Sequence, residues 1–312
     1  MKRFLKNIGV FIIVAIIGYL ITVFLVRIVL PNKYAFVTNV PYVPAGAGHL
    51  QSRLADVKNF SNVDFLILGS SHAYRGFDPR IFDEYGYSMF NLGSSAQTPM
   101  QSNYLLRKYF NQLKPSKVII EVYPKTFMSD GVESSTDLIS NGSPTFKLFE
   151  TCVSHANIKT VNTFIYSFAD RKLLGNKYDQ PKRIGDEEYI SGGYVATDPD
   201  FQKEYEIPDS MAIDMKPYQL KALNKMLMFL KANETPYILV QAPINKEMYQ
   251  CFRKTEEFDQ KMASFGSYYN YNEIRELQDP SLYYDRDHLN QKGVEHFNRA
   301  LLDSIDKKRF SF

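Results

Sequence analysis

The chain has 312 residues, 45% of them hydrophobic and 23% charged, a balance that excludes a disordered protein and leaves room for one large domain or two small ones. Its net charge of +3 is too small to indicate a nucleic-acid partner. Two cysteines, Cys152 and Cys251, are too few for a disulfide framework or a cysteine zinc site, and both a pairing and two separate buried thiols remain open.

Ile8 to Val26 carries no charge, and the apolar character resumes after Arg27 through Leu30. These 19 residues, at about 1.5 Å of rise each, nearly match a hydrocarbon core of about 30 Å. A cleaved signal peptide is the alternative, but its apolar region usually runs about 7–15 residues. Residues 8–30 are therefore expected to be an uncleaved transmembrane anchor in the lipid bilayer. Lys2, Arg3 and Lys6 precede it, so the positive-inside rule puts residues 1–7 in the cytoplasm and the rest of the chain outside the cytoplasmic membrane, periplasmic or cell-surface. Residues 31–60, punctuated by Pro31, Pro41, Pro44, Gly46 and Gly48, read as a stalk.

From residue 61 to 312 the pattern is that of one α/β domain. Phe65–Leu68 is a buried strand by length and composition, Pro79–Tyr85 a short helix, and Ser88–Leu92 a second strand. Thr98-Pro99-Met100-Gln101 opens a helix reaching about Leu113, with a Thr N-cap, Pro at the first position and Gln at the third. Val118–Val122 is a third strand. Residues 125 to about 215 lose this rhythm and read as an insertion with short elements of its own. Leu220, Leu223, Leu227 and Leu230 then mark a helical face, Tyr237–Val240 a strand, and Gln291–Ile305 a last helix. Such alternation predicts a three-layer α/β/α, flavodoxin-like sandwich with a mostly parallel sheet, whose ligands bind beyond the carboxyl ends of the strands.

Ser71 follows the first strand in Gly69-Ser70-Ser71-His72, and Asp285-Arg286-Asp287-His288 precedes the last helix. A serine hydroxyl needs a base to become a nucleophile, and an imidazole needs an acid to hold its tautomer. Ser71, His288 and either Asp285 or Asp287 supply those three parts. The oxyanion that forms on attack needs donors in place, and the amides of Ser71 and Gly93 are the candidates. Arg75 and Gln97 flank the expected cleft as candidate substrate contacts, and His155 in the insertion is a further one. His72 reads as a structural or cleft residue. Tyr268-Tyr269-Asn270-Tyr271 suits packing better than sugar stacking. Neither a phosphate loop, a dinucleotide fingerprint nor a metal-ligand spacing occurs, so no cofactor and no metal is expected.

These motifs resemble the SGNH, or GDSL-like, hydrolase superfamily over roughly residues 62–125 and 216–305. Gly69-Ser70-Ser71 stands at the family's Gly-Asp-Ser, Gly93 in Asn91-Leu92-Gly93-Ser94 at its oxyanion glycine, and Asp285-Arg286-Asp287-His288 at its Asp-x-x-His. The resemblance selects Asp285 as the orienting acid. The third block differs: Glu121-Val122-Tyr123-Pro124 stands where the family carries Gly-x-Asn-Asp, so its asparagine donor is missing. Gly-Ser-Ser and the N-terminal anchor look more like the membrane-tethered branch, similar to alginate O-acetylation and teichoic-acid D-alanylation proteins. That likeness implies a serine O-acyltransferase or esterase acting on a cell-envelope or exported glycan, with an acyl donor, a glycan acceptor and a multi-pass membrane acyltransferase as partners. A catalytically inactive glycan-binding or scaffold protein on the same fold is the rival expectation.

Overall fold

Five short apolar segments, Phe65–Leu68 (β1), Met89–Asn91 (β2), Lys117–Glu121 (β3), Tyr237–Gln241 (β4) and Tyr268–Asn270 (β5), form one sheet in the order β2-β1-β3-β4-β5. Every pairing is parallel, with Leu66 opposite Phe90 and Val118, Ile119 opposite Ile238, and Leu239 opposite Tyr268. This is the flavodoxin-like order expected from the alternation. The computed structural model describes residues 1–29, 39–153, 157–197 and 204–306. Leu30, the first part of the expected stalk at 31–38, and His155 lie outside the described residues.

The described residues fall into two compact units, residues 1–44 with 135–179, and residues 45–134 with 180–312. The sheet belongs to the second. Phe65, Ile67, Ile119, Ile238 and Val240 share one apolar cluster with Phe77, Phe82 and the helix Gln291–Asp306, whose Phe297 ring meets Phe77 at 5.2 Å. Leu66, Leu68, Val118, Ile120 and Leu239 alternate with them and are equally buried. The helices Pro99–Leu113 and Pro217–Ala232 pack together on that side, with Phe110 and Phe229 in edge contact. Strands buried on both faces are apolar without interruption, which is why FLIL, KVII and YILV carry no polar alternation.

Two local expectations are corrected. Pro99 opens its helix as expected, but Thr98 does not cap the backbone; its Oγ1 donates to Gln101 Oε1 instead. Tyr268–Asn270 is the fifth strand, a half-buried edge strand, and the tyrosines pack as expected: Tyr269 lies against the core cluster and Tyr271, just past the strand, is buried in it. Within the stretch read as a stalk, Leu50–Asp56 is helical. Its inward residues are Leu50 and Arg53; Arg53 is fully buried, its Nε donates to Gly193 O at 2.8 Å, and its guanidinium lies 4.6 Å from the Tyr74 ring. Between β3 and β4 the second unit adds an antiparallel ribbon, Arg183–Ile184, Glu187–Ile190 and Tyr194–Ala196.

In the first unit, the helix Lys2–Val29 (α1) contains a 24-residue segment, Lys2–Leu25, long and apolar enough to cross a membrane. The helix Ile158–Phe168 packs against it: Tyr19 OH donates to Asn162 Oδ1, and the Phe24 and Tyr166 rings lie 5.6 Å apart. Val23, Val40, Tyr42 and Tyr166 form the small core. Asp170 accepts from Tyr42 OH at 2.8 Å and Tyr178 OH at 2.9 Å. Both cysteines are free thiols. Cys152 is buried, and burial pushes its pKa up to about 12.

Candidate functional site

β1 ends at Leu68, and past Gly69 the chain turns at once into the short helix Ser71–Gly76, with Ser70 as its N-cap. Gly69 adopts φ 150°, and a Cβ there would stand 2.6 Å from both Cβ and Oε2 of Glu121. Only glycine allows that passage. The turn leaves Ser71 half-exposed at the first helical position, where a backbone N–H has no intrahelical acceptor. Among the described residues the Ser71 amide has no hydrogen-bond partner.

Asp285 and His288 arrive from the loop before the last helix. His288 Nε2 lies 2.7 Å from Ser71 Oγ, and His288 Nδ1 lies 3.0 Å from each Asp285 carboxylate oxygen. Asp285 Oδ1 also accepts the backbone N–H groups of Asp287 and His288, both at 2.8 Å. Burial alone would push the Asp285 carboxyl up. The His288 hydrogen bond and charge, together with the two amides, outweigh it and hold the group well below the usual carboxylate range. An ionised carboxylate only accepts, so Nδ1 carries the proton and Nε2 of the neutral ring is left to accept from the Ser71 hydroxyl. Asp287 faces elsewhere, accepting from Tyr123 OH at 2.9 Å with Lys125 Nζ at 3.6 Å.

Three sequence-predicted residues behave otherwise than expected. The Gly93 amide donates to Asn91 Oδ1 at 2.9 Å, while Asn91 Nδ2 donates to Ala73 O at 2.7 Å. Gly93 is thus stapled to the helix that carries Ser71, and its amide is already engaged. A Cβ there would stand 2.8–2.9 Å from Ala73 Cβ, Ser70 O and Tyr74 N, so the glycine serves close packing. Gln97 is buried, accepting from Ser94 Oγ at 2.7 Å and donating to Ser102 Oγ at 2.9 Å, and does not face the cleft. Arg75 does stand beside His288, where it lines a small cavity with His72 and Ala242. Its guanidinium, however, is ion-paired with Glu187 and flanked by Tyr74 and Tyr284.

Next to Ser71 and His288 lies a buried polar chain that sequence reasoning missed. Glu121, the last residue of β3, accepts at Oε2 from the Ser70 amide and the Ser70 hydroxyl, both at 3.0 Å. Having given its one proton to Glu121, Ser70 Oγ accepts at 3.1 Å from His72 Nδ1. Burial raises the Glu121 carboxyl to about 7, against the two Ser70 hydrogen bonds, and drives His72 down to about 3, helped by the charge of His288. The His72 ring stacks on His288 at 4.9 Å and 24°, with Tyr123 on it at 4.0 Å. A carboxylate closing an otherwise apolar strand, as in Lys117-Val118-Ile119-Ile120-Glu121, was the one signal available.

No family model matches this chain, and no curated protein does. Among solved structures it is similar to one from Bacteroides fragilis, provisionally described as an acylhydrolase, and to a GDSL-like lipase from Bacteroides thetaiotaomicron. In each case the identity is 12%, the match covers 84% of this chain and 98% of the other, and the TM-score is 0.42. At that score and identity nothing about activity transfers from them.

Proposed function

We propose that Ser71, His288 and Asp285 form the catalytic triad of a serine esterase or O-acyltransferase. One observation carries the reading: a half-exposed hydroxyl 2.7 Å from an imidazole whose other nitrogen is held by an ionised carboxylate. His288 takes the Ser71 proton as Oγ attacks an ester carbonyl, Asp285 stabilises the imidazolium, and the proton passes to the leaving alcohol. The acyl-enzyme then resolves onto water or onto a sugar hydroxyl by the reverse route. The oxyanion meets the Ser71 amide. Since Gly93 is engaged by Asn91 and the third block lacks its asparagine, the isolated site is short of donors. Each missing donor typically costs about 10²–10³ in rate, so slow turnover of simple esters is expected.

The finer reading is acyl handling on a cell-envelope or exported glycan. An apolar N-terminal helix that would tether the chain to a bilayer supports it, as do the motifs shared with membrane-tethered acylation proteins. A multi-pass membrane acyltransferase is the corresponding donor-side partner. The full chain in detergent micelles, treated with a fluorophosphonate and read by intact mass, tests the chemistry. One adduct on wild-type and none on Ser71→Ala or His288→Ala is the expected result. Folded wild-type protein without an adduct would favour a glycan-binding or scaffold role, the reading that the engaged Gly93 amide supports.

A further inference from the structure

The exposed apolar surface is unevenly placed. Among the described residues beyond α1, Val43, Phe146, Ile158, Phe168, Leu173 and Leu174 of the first unit are large, apolar and exposed, and all but Val43 fall within 146–174. In the second unit only Tyr205 and Met228 belong to that class. The same stretch lines a groove of about 480 Å³ between α1 and the helices Phe146–Val153 and Ile158–Phe168, walled by Leu20, Phe146, Phe149, Phe164, Ile165 and Phe168. No charged or polar side chain lines it.

Leu20 fixes where that groove stands. It lies six positions before Val26, the last residue of the uncharged run, hence about 9 Å inside it at helical rise. Tyr19 and Phe24 tie the Ile158–Phe168 helix to the same level. If α1 crosses a bilayer, the groove opens into hydrocarbon at the depth where interfacial helices bury their apolar faces, about 5–10 Å below the headgroups. We infer that this groove is a lipid site, taking one acyl chain of a bilayer lipid between α1 and the two following helices. A partner's helix fits it less well: one turn, about 5.4 Å long and 10 Å across, fills roughly the whole volume, whereas a thin chain runs through it.

The chain contains no tryptophan, so an introduced one is a unique reporter. The full chain would be reconstituted in phosphatidylcholine vesicles whose acyl chains carry bromine, with Phe149→Trp in the groove, Phe11→Trp on α1 and Met228→Trp in the second unit. Phe168→Trp, at the exposed rim, replaces Phe149→Trp if that variant does not fold. Native mass spectrometry of wild-type from micelles supplies the second readout. The inference expects the groove tryptophan to lose most of its emission while Met228→Trp keeps it. It also expects one retained lipid, lost in Leu20→Trp, which fills the groove. Quenching without a retained lipid means general contact with the bilayer and overturns the site. An unquenched groove beside a quenched Phe11→Trp means that something other than lipid covers it, a partner's helix included, and overturns it too. If neither is quenched, α1 is not in the bilayer and the inference falls with that premise.

Discussion

Asp285 and Asp287 stand two residues apart and hold different partners, His288 for the first and Tyr123 with Lys125 for the second. Asp285→Asn should therefore slow fluorophosphonate labelling by about 10³–10⁴, because the amide can hold the imidazole in the wrong tautomer. Asp287→Asn should cost about tenfold or less, since it loosens only the Tyr123 clamp. Comparable losses in the two variants would remove Asp285 from its assigned place. Glu121 allows a second test by equilibrium unfolding. Its carboxyl is raised from 4.5 to about 7 by burial, so the native state holds a proton that the unfolded chain has released across that window. Wild-type stability should accordingly fall as pH rises from about 4.5 to about 7, by up to about 3 kcal/mol relative to Glu121→Gln, and stay level on either side. A variant that tracks wild-type through the window would show that Glu121 ionises freely. Ser71, Asp285 and His288 were legible as a candidate set because each sits in a short motif, and the structure brings the three within hydrogen-bond distance. Glu121 and Asn91 were not, because what each does depends on a residue brought from another element: Ser70 above one, Gly93 and Ala73 beside the other.

At the scale of elements, the strands and the long helices followed from periodicity, since each buries a continuous apolar run or stripe. Leu50–Asp56 did not, because it is only seven residues long and one of its two inward positions is an arginine. Arg53 is accommodated by carbonyls, Gly193 O at 2.8 Å from Nε and Gly48 O at 3.1 Å from Nη1, with the Tyr74 ring beneath it. Glu187 of the antiparallel ribbon completes the clasp, accepting from the Gly48 amide at 2.7 Å and pairing with Arg75. One glutamate therefore links this helix to the helix that carries Ser71. Arg53→Met keeps the stem's bulk but leaves two buried carbonyls unbonded, and should lower stability by about 2–4 kcal/mol in urea unfolding. A loss under about 0.5 kcal/mol, the range of ordinary surface substitutions, would mean that the clasp is not structural. β5 escaped notice for a related reason: at an edge, Tyr268–Asn270 is half-buried and three residues long, too short for any period to appear.

For the whole molecule, the apolar N-terminal helix sets the first expectation. The full chain should stay with membranes through high salt and alkaline carbonate, and release by carbonate alone would reduce α1 to a peripheral contact or a cleaved leader. The composition carried that much. It carried nothing about residues 146–174, whose apolar side chains look ordinary until α1 is seen to pack beside them. The parallel order β2-β1-β3-β4-β5 has a further consequence for biogenesis. Ser71 follows the first strand made, whereas His288 follows the last, so the two are 217 residues apart in the chain. During synthesis the serine is made early, and the histidine that hydrogen-bonds it comes late. Any product that stops short of residue 288 carries the hydroxyl and lacks the imidazole, so on the proposed mechanism an interrupted chain would have no base for its serine.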